Sequence, residues 1–140
     1  MRVTETRIID ATPDSVWKVG GDTPNVADWI PALEKSHQLA DVRYATFANG
    51  GGEATERIVD HNDAERSYTY ELVSGPLPLS FYKSTFTVNG HPDGSEVVWR
   101  AEFAASSVES EAELGAAIAD IYRSALIELA VRVVATTLAK

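Results

Sequence analysis

Glu56 stands between Ala54 and Ile58 in a stretch that alternates as a β-strand does, so a carboxylate shares a face with apolar residues. Burial on such a face would raise its pKa, and a carboxyl poised nearer neutrality can take or give a proton. Two runs further on put hydroxyls on faces of the same kind. Tyr68, Tyr70 and Leu72 share one side of the first, and Tyr82, Ser84, Phe86 and Val88 one side of the second. A phenol in such a place can donate to a carbonyl oxygen and stabilise an enolate. Glu56, Tyr70 and Tyr82 are therefore the candidate catalytic residues, for acid–base chemistry. The competing reading pairs Glu56 with Arg43 or Arg57 at the rim of a sheet, where it does no chemistry.

Candidate ligand contacts follow from the same faces. They are Tyr68, Ser84 and Phe86, then Trp99 on the apolar side of the last alternating run (Val97, Trp99, Ala101, Phe103). Trp29 beside Pro31, in an irregular segment, reads as part of a pocket entrance. Leu77, in the stiff turn Gly75-Pro76-Leu77-Pro78, reads as a lip. Ile118, Ile121 and Tyr122 complete the set from a C-terminal helix. Trp17, Trp99 and Tyr122 also have a plain reading as core anchors, although the Tyr122 hydroxyl needs a partner if buried. Arg43 reads as a solvated or rim residue unless its side chain turns inward toward a ligand oxygen.

Other constellations fail. His37, His61 and His91 lack a second ligand-type residue at metal-binding spacing, so no metal is expected. Gly50-Gly51-Gly52 is followed by a strand, without the Lys and Ser/Thr of a phosphate loop. There is no Gly-x-Ser-x-Gly elbow, and nothing calls for a nucleotide or flavin, so no cofactor is expected.

These residues must be positioned by short strands and one long helix. Over 110–138 the positions Leu114, Ile118, Ile121, Tyr122, Ala125, Leu129 and Val133 recur at helical steps and share one face, with Ala117 and Ala125 as its small residues. Ser110 with Glu113 predicts a capping box at its start. Near the N-terminus a strand is followed by a short helix capped by Thr12 with Pro13 in its first position, ended by Gly20-Gly21. A second short helix or turn spans 22–33. Strands are predicted at about 37–48, 53–61, 66–73, 81–89 and 95–104, joined by turns at 49–52, 61–64 and 89–94 as an antiparallel meander. The fold class is α+β: a curved antiparallel sheet of six or seven strands around a long C-terminal helix, which leaves a pocket between them.

The 140 residues make one domain, and 44% apolar content is ordinary for a globular chain. A formal charge of −9 and a pI near 4.7 argue against nucleic acid and anionic lipid surfaces as partners. No apolar run approaches the roughly 20 residues of a membrane span, so no membrane insertion is expected. The first residues lack the apolar core of a secretion signal, and there is no cysteine, which fits a cytoplasmic location.

The order of elements, with Ala11-Thr12-Pro13-Asp14-Ser15-Val16-Trp17, Trp29-Ile30-Pro31, Glu56-Arg57-Ile58, the run 68–78 and the run 94–99, resembles the START-like (SRPBCC, helix-grip) superfamily and its polyketide cyclase/dehydrase-like branch. The likeness covers nearly the whole chain as a single ligand-binding domain. It implies a hydrophobic ligand, such as a polyketide, aromatic or lipid-like molecule, held between sheet and helix. Three functions follow as expectations: a cofactor-independent cyclase or dehydratase, a carrier or sensor of a lipophilic molecule, or a pocketless interaction module.

Overall fold

The alternating runs pair as the periodicity predicts. A computed structural model describes residues 1–138. Its strands are β1 (Arg2–Ile9), β2 (Leu33–Leu39), β3 (Val42–Phe47), β4 (Glu53–Asn62), β5 (Ser67–Ser74), β6 (Leu79–His91) and β7 (Gly94–Ala105). They form one antiparallel sheet in the order β1-β7-β6-β5-β4-β3-β2, so β2 to β7 are a meander and β1 joins its far end beside β7. The helices are α1 (Pro13–Gly20) and α2 (Val108–Leu138), with a 3-10 helix at Thr23–Asp28 in place of the second short helix. Thr12 caps α1, its Oγ accepting from Ser15 N, with Pro13 in the first turn. α1 ends at Gly20, where a Cβ would lie 2.7 Å from the Phe86 ring, and the next residue, Gly21, caps it by donating its N–H to Trp17 O.

Four local expectations are corrected. The strand predicted at 37–48 is two strands, hinged at 40–41, where Ala40 takes a left-handed conformation (φ 54°) that no glycine or asparagine announces. The turns predicted at 61–64 and 89–94 are shorter, because β4 runs on to Asn62 and β6 to His91. α2 starts earlier than the capping box at Ser110. Its cap is Ser107, whose Oγ accepts from Ser110 N at 3.1 Å. Finally Ala117 is exposed, and Leu126, not singled out by the stripe, is buried beside Ala125 and Leu129.

α2 is 31 residues and so about 46 Å long. It packs chiefly over β1 and β7 and against α1, while α1 packs over β6 and β7. Val97, Trp99, Phe103, Leu126 and Leu129 make that solid half of the core. The other half of the concave face, over β3, β4 and β5, is where space is left.

Candidate functional site

A cavity of about 90 Å³ lies there, walled by β3 to β7 and α2. Its floor is buried: Ala45, Ala54, Tyr70, Trp99, Ile118 and Tyr122. Its mouth is half-exposed, formed by Leu33 and Phe47, by Leu77 of the 75–78 turn with Leu79 at the start of β6, and by Ile121 of α2. Most of the lining is apolar. Polarity is confined to Arg43, Glu56 and a group of tyrosines.

Arg43 faces inward because β3 alternates, with Arg43 and Ala45 buried and Val42 and Tyr44 on the other side. The hairpin turn at 48–52 pairs Ala45 with Ala54 and Arg43 with Glu56. A shift of register between Thr55 and Glu56 on the β5 side marks a local irregularity, a device that re-aims side chains beside functional sites. Arg43 is 2% exposed. Its Nε donates to Glu56 Oε1 at 2.8 Å, and its Nη1 donates to Thr23 O and to Tyr68 OH, both at 3.3 Å. The guanidinium also lies over the Tyr70 ring, 4.7 Å from its centroid. Nη2 has no partner among the described residues, and neither has Glu56 Oε2. Burial disfavours the Arg43 charge, but Tyr68, Glu56 and Tyr70 more than offset this, so its pKa is raised and it stays a cation.

Thus the pairing of Glu56 with Arg43, one of the two readings of the sequence, is what the structure shows, but inside the cavity wall and not at a rim. The rim placement of Arg43 is corrected for the same reason. Counting outward from the glycine turn would have found it, since that count alone sets Arg43 opposite Glu56.

The tyrosines come from three elements. Tyr70 (β5), Tyr82 (β6) and Tyr122 (α2) line the cavity, with Ser84 (β6) behind them. Tyr70 OH and Tyr82 OH are 3.3 Å apart, Tyr82 OH and Tyr122 OH are hydrogen bonded, and Tyr122 OH lies 2.7 Å from Ser84 Oγ. Trp99 Nε1 donates to Ser84 Oγ at 3.0 Å, and the Trp99 ring stacks on Tyr122 at 3.9 Å and 6°. Burial pushes the Tyr82 phenol up to about 12, against its hydrogen bonds with Tyr122 and Tyr70. Burial likewise carries Tyr68 to about 12, opposed by the Arg43 charge. Tyr70 and Tyr122 are held well above the ordinary tyrosine value, by burial first and then by their phenolic neighbours. At neutral pH each phenol therefore keeps its one proton.

Of the residues singled out from the sequence, Glu56, Tyr70, Tyr82, Leu77, Trp99, Ile118, Ile121 and Tyr122 line this cavity. Trp29, Tyr68, Ser84 and Phe86 do not; they sit behind its wall. Trp29 packs on Phe86 and Trp99, 5.8 and 5.6 Å between ring centres, so it belongs to the core and not to an entrance. Tyr68 underlies Arg43. Among the described residues no three of His, Asp and Glu come together as a metal site. His37 stacks on Tyr44 and His61 Nε2 is 3.0 Å from Gly21 O, both in structural roles. No helix among the described residues is long and apolar enough to cross a membrane.

A seven-strand antiparallel sheet gripping one long helix, with a cavity between, defines a START-like helix-grip domain built to hold ligands. Over residues 1–134 the chain matches, and belongs to, the polyketide cyclase / dehydrase and lipid transport family. No curated protein matches the chain at a significant level. Among solved structures, the protein XoxI from Bacillus cereus superposes with a TM-score of 0.87 at 29% identity, covering 95% of each chain. The Zhui aromatase/cyclase from Streptomyces sp. R1128 gives 0.83 at 18% identity, over 95% of this chain and 93% of that one. Norcoclaurine synthase from Thalictrum flavum, solved with dopamine and hydroxybenzaldehyde, gives 0.75 at 17% identity, over 97% and 87%.

Proposed function

We propose that the protein binds a hydrophobic small molecule of about single-ring size, with an acceptor oxygen of that molecule on Arg43. The observation that carries this reading is Nη2 of Arg43, a cationic donor without a protein partner among the described residues, on a largely buried side chain at the polar end of an apolar cavity. A ligand oxygen there completes the guanidinium's hydrogen bonds and gains the strength of a charge-assisted bond. Because Glu56 balances the Arg43 charge, a neutral carbonyl or ether oxygen suits the site better than a carboxylate, which would bury a net negative charge. The size follows from the 90 Å³ of room, well under the roughly 300–1,000 Å³ of drug-sized sites. That a fold relative is solved with dopamine and hydroxybenzaldehyde agrees with ligands of one ring.

The test is to compare native and denatured mass of gently purified protein, and to titrate it with single-ring ketones and short acyl compounds. Binding that is lost in Arg43→Met supports the reading. No extra mass and no uptake from the panel would sink it.

The free Glu56 Oε2 favours a second, catalytic reading, a dehydration. Glu56 would take the proton α to a carbonyl whose oxygen rests on Arg43, and Arg43 would stabilise the enolate. Expulsion of the β-hydroxyl, protonated by the acid just formed on Glu56, then gives an enone and water. Tyr70 and Tyr82 hold the substrate. Glu56→Gln should keep binding and lose turnover; turnover at the wild-type rate would end this reading.

A further inference from the structure

The hydroxyls at the polar end of the cavity share too few protons to be arranged in more than one way. Ser84 Oγ is 3.0 Å from Arg100 O, and a carbonyl only accepts, so the single Ser84 proton goes there. Ser84 also accepts from Trp99 Nε1, which leaves it one lone pair. Tyr122 must fill that lone pair and so donates to Ser84. With its proton spent, Tyr122 can only accept from Tyr82, and Tyr82 in turn can only accept from Tyr70. The chain therefore runs one way, from Tyr70 through Tyr82 and Tyr122 to Ser84 and the β7 backbone. What remains for the cavity is lone pairs.

We infer that Ser84 sets the direction of this hydroxyl chain, so that the tyrosine wall accepts hydrogen bonds and the cavity selects a ligand that turns a hydroxyl toward it. The inference rests on the small-molecule reading above and narrows it: the ligand carries an acceptor oxygen for Arg43 and a separate hydroxyl donor for the tyrosines. A hydroxyaryl ketone is the simplest molecule of that class. Ser84, buried at 0% exposure and absent from the lining, is a positioning residue that acts through Tyr122 and Tyr82. The weakest link is Tyr70 to Tyr82 at 3.3 Å. A ligand with a second carbonyl in place of the hydroxyl would have to draw the Tyr70 proton out of the chain.

Calorimetric titration with 4-hydroxyacetophenone and 4-fluoroacetophenone tests this, because fluorine is no larger than the hydroxyl and cannot donate. The wild-type protein should favour the hydroxy compound by about tenfold, the scale expected where a buried acceptor is left unpaired. In Tyr82→Phe the Tyr70 proton is released toward the cavity, and in Ser84→Ala the chain loses its anchor and can reverse. The preference should fall toward unity in both, and Tyr82→Phe carries the test should Ser84→Ala fail to fold. Equal wild-type affinities for the two ketones would overturn the inference while leaving small-molecule binding intact. So would a preference that survives unchanged in both variants, since Glu56 would then be its source. Binding of neither ketone would overturn this inference together with the reading beneath it.

Discussion

Arg43 and Glu56 face each other as a register pair across β3 and β4, and Nε of the one donates to Oε1 of the other at 2.8 Å inside the cavity wall. Their side chains are 3% and 13% exposed, so neither charge is left to water. The pair gives the cavity a polar end with no net charge, one free donor and one free acceptor.

Removing one partner should cost far more than removing both. Arg43→Met leaves Glu56 without its counter-charge, and a loss of about 3–5 kcal/mol is expected from urea unfolding. The double variant Arg43→Met with Glu56→Met should recover most of that, because two apolar residues of similar size then fill the wall. A single variant as stable as the wild type would show that solvent reaches the pair.

Stability should fall in alkali. Tyr68 is raised from 10 to about 12 in the folded state, chiefly by burial. Unfolded phenols lose their protons near pH 10 while the folded ones keep theirs, so above pH 10 the unfolded state binds fewer protons and gains in stability. The full stabilisation is therefore present below pH 10 and is lost as pH rises toward 12. Each such tyrosine contributes a slope of about 1.4 kcal/mol per pH unit in that window. Unfolding curves at pH 8 and pH 11 measure the fall, and Tyr68→Phe should make it shallower. An unchanged slope in that variant would mean that Tyr68 ionises freely in the fold.

Two adjacent helix residues separate core from surface. Leu126 is 2% exposed and Ile127 is 45% exposed. Leu126→Ala should cost about 2–5 kcal/mol, and Ile127→Ala less than about 1 kcal/mol. Comparable losses in thermal melts would place the rotation of α2 elsewhere.

The start of α2 offers a similar contrast. Ser107→Ala removes the acceptor for Ser110 N and should destabilise by about 1 kcal/mol. Ser110→Ala keeps that backbone bond and should fall well short of it. The reverse order would restore Ser110 as the cap.

Ligand occupancy should be visible in Trp99 alone. Trp99 lines the cavity, whereas Trp17 and Trp29 do not. A single-ring ketone that enters should change tryptophan emission, and Trp99→Phe should abolish the change while Trp17→Phe leaves it. A response that persists without Trp99 would locate the ligand outside this cavity.

Periodicity and turn chemistry were enough to read the meander, the capped α1, the long helix, and the faces that carry Tyr70, Tyr82 and Trp99, because each depends on residues close together along the chain. Tertiary packing decided the rest. Ala40 bends backward without a turn residue, since pairing of β2 with β3 outweighs the local cost. The hairpin count sets Arg43 opposite Glu56, but that this face and not that of Val42 and Tyr44 turns inward is decided by how the sheet packs. Leu126 is buried and Ala117 is not, because the rotation of α2 is chosen by the sheet beneath it. The hydroxyl chain needs β5, β6, β7 and α2 at one point, over separations such as the 38 residues between Ser84 and Tyr122. No local pattern encodes such a meeting; it exists only once distant strands and the helix have packed.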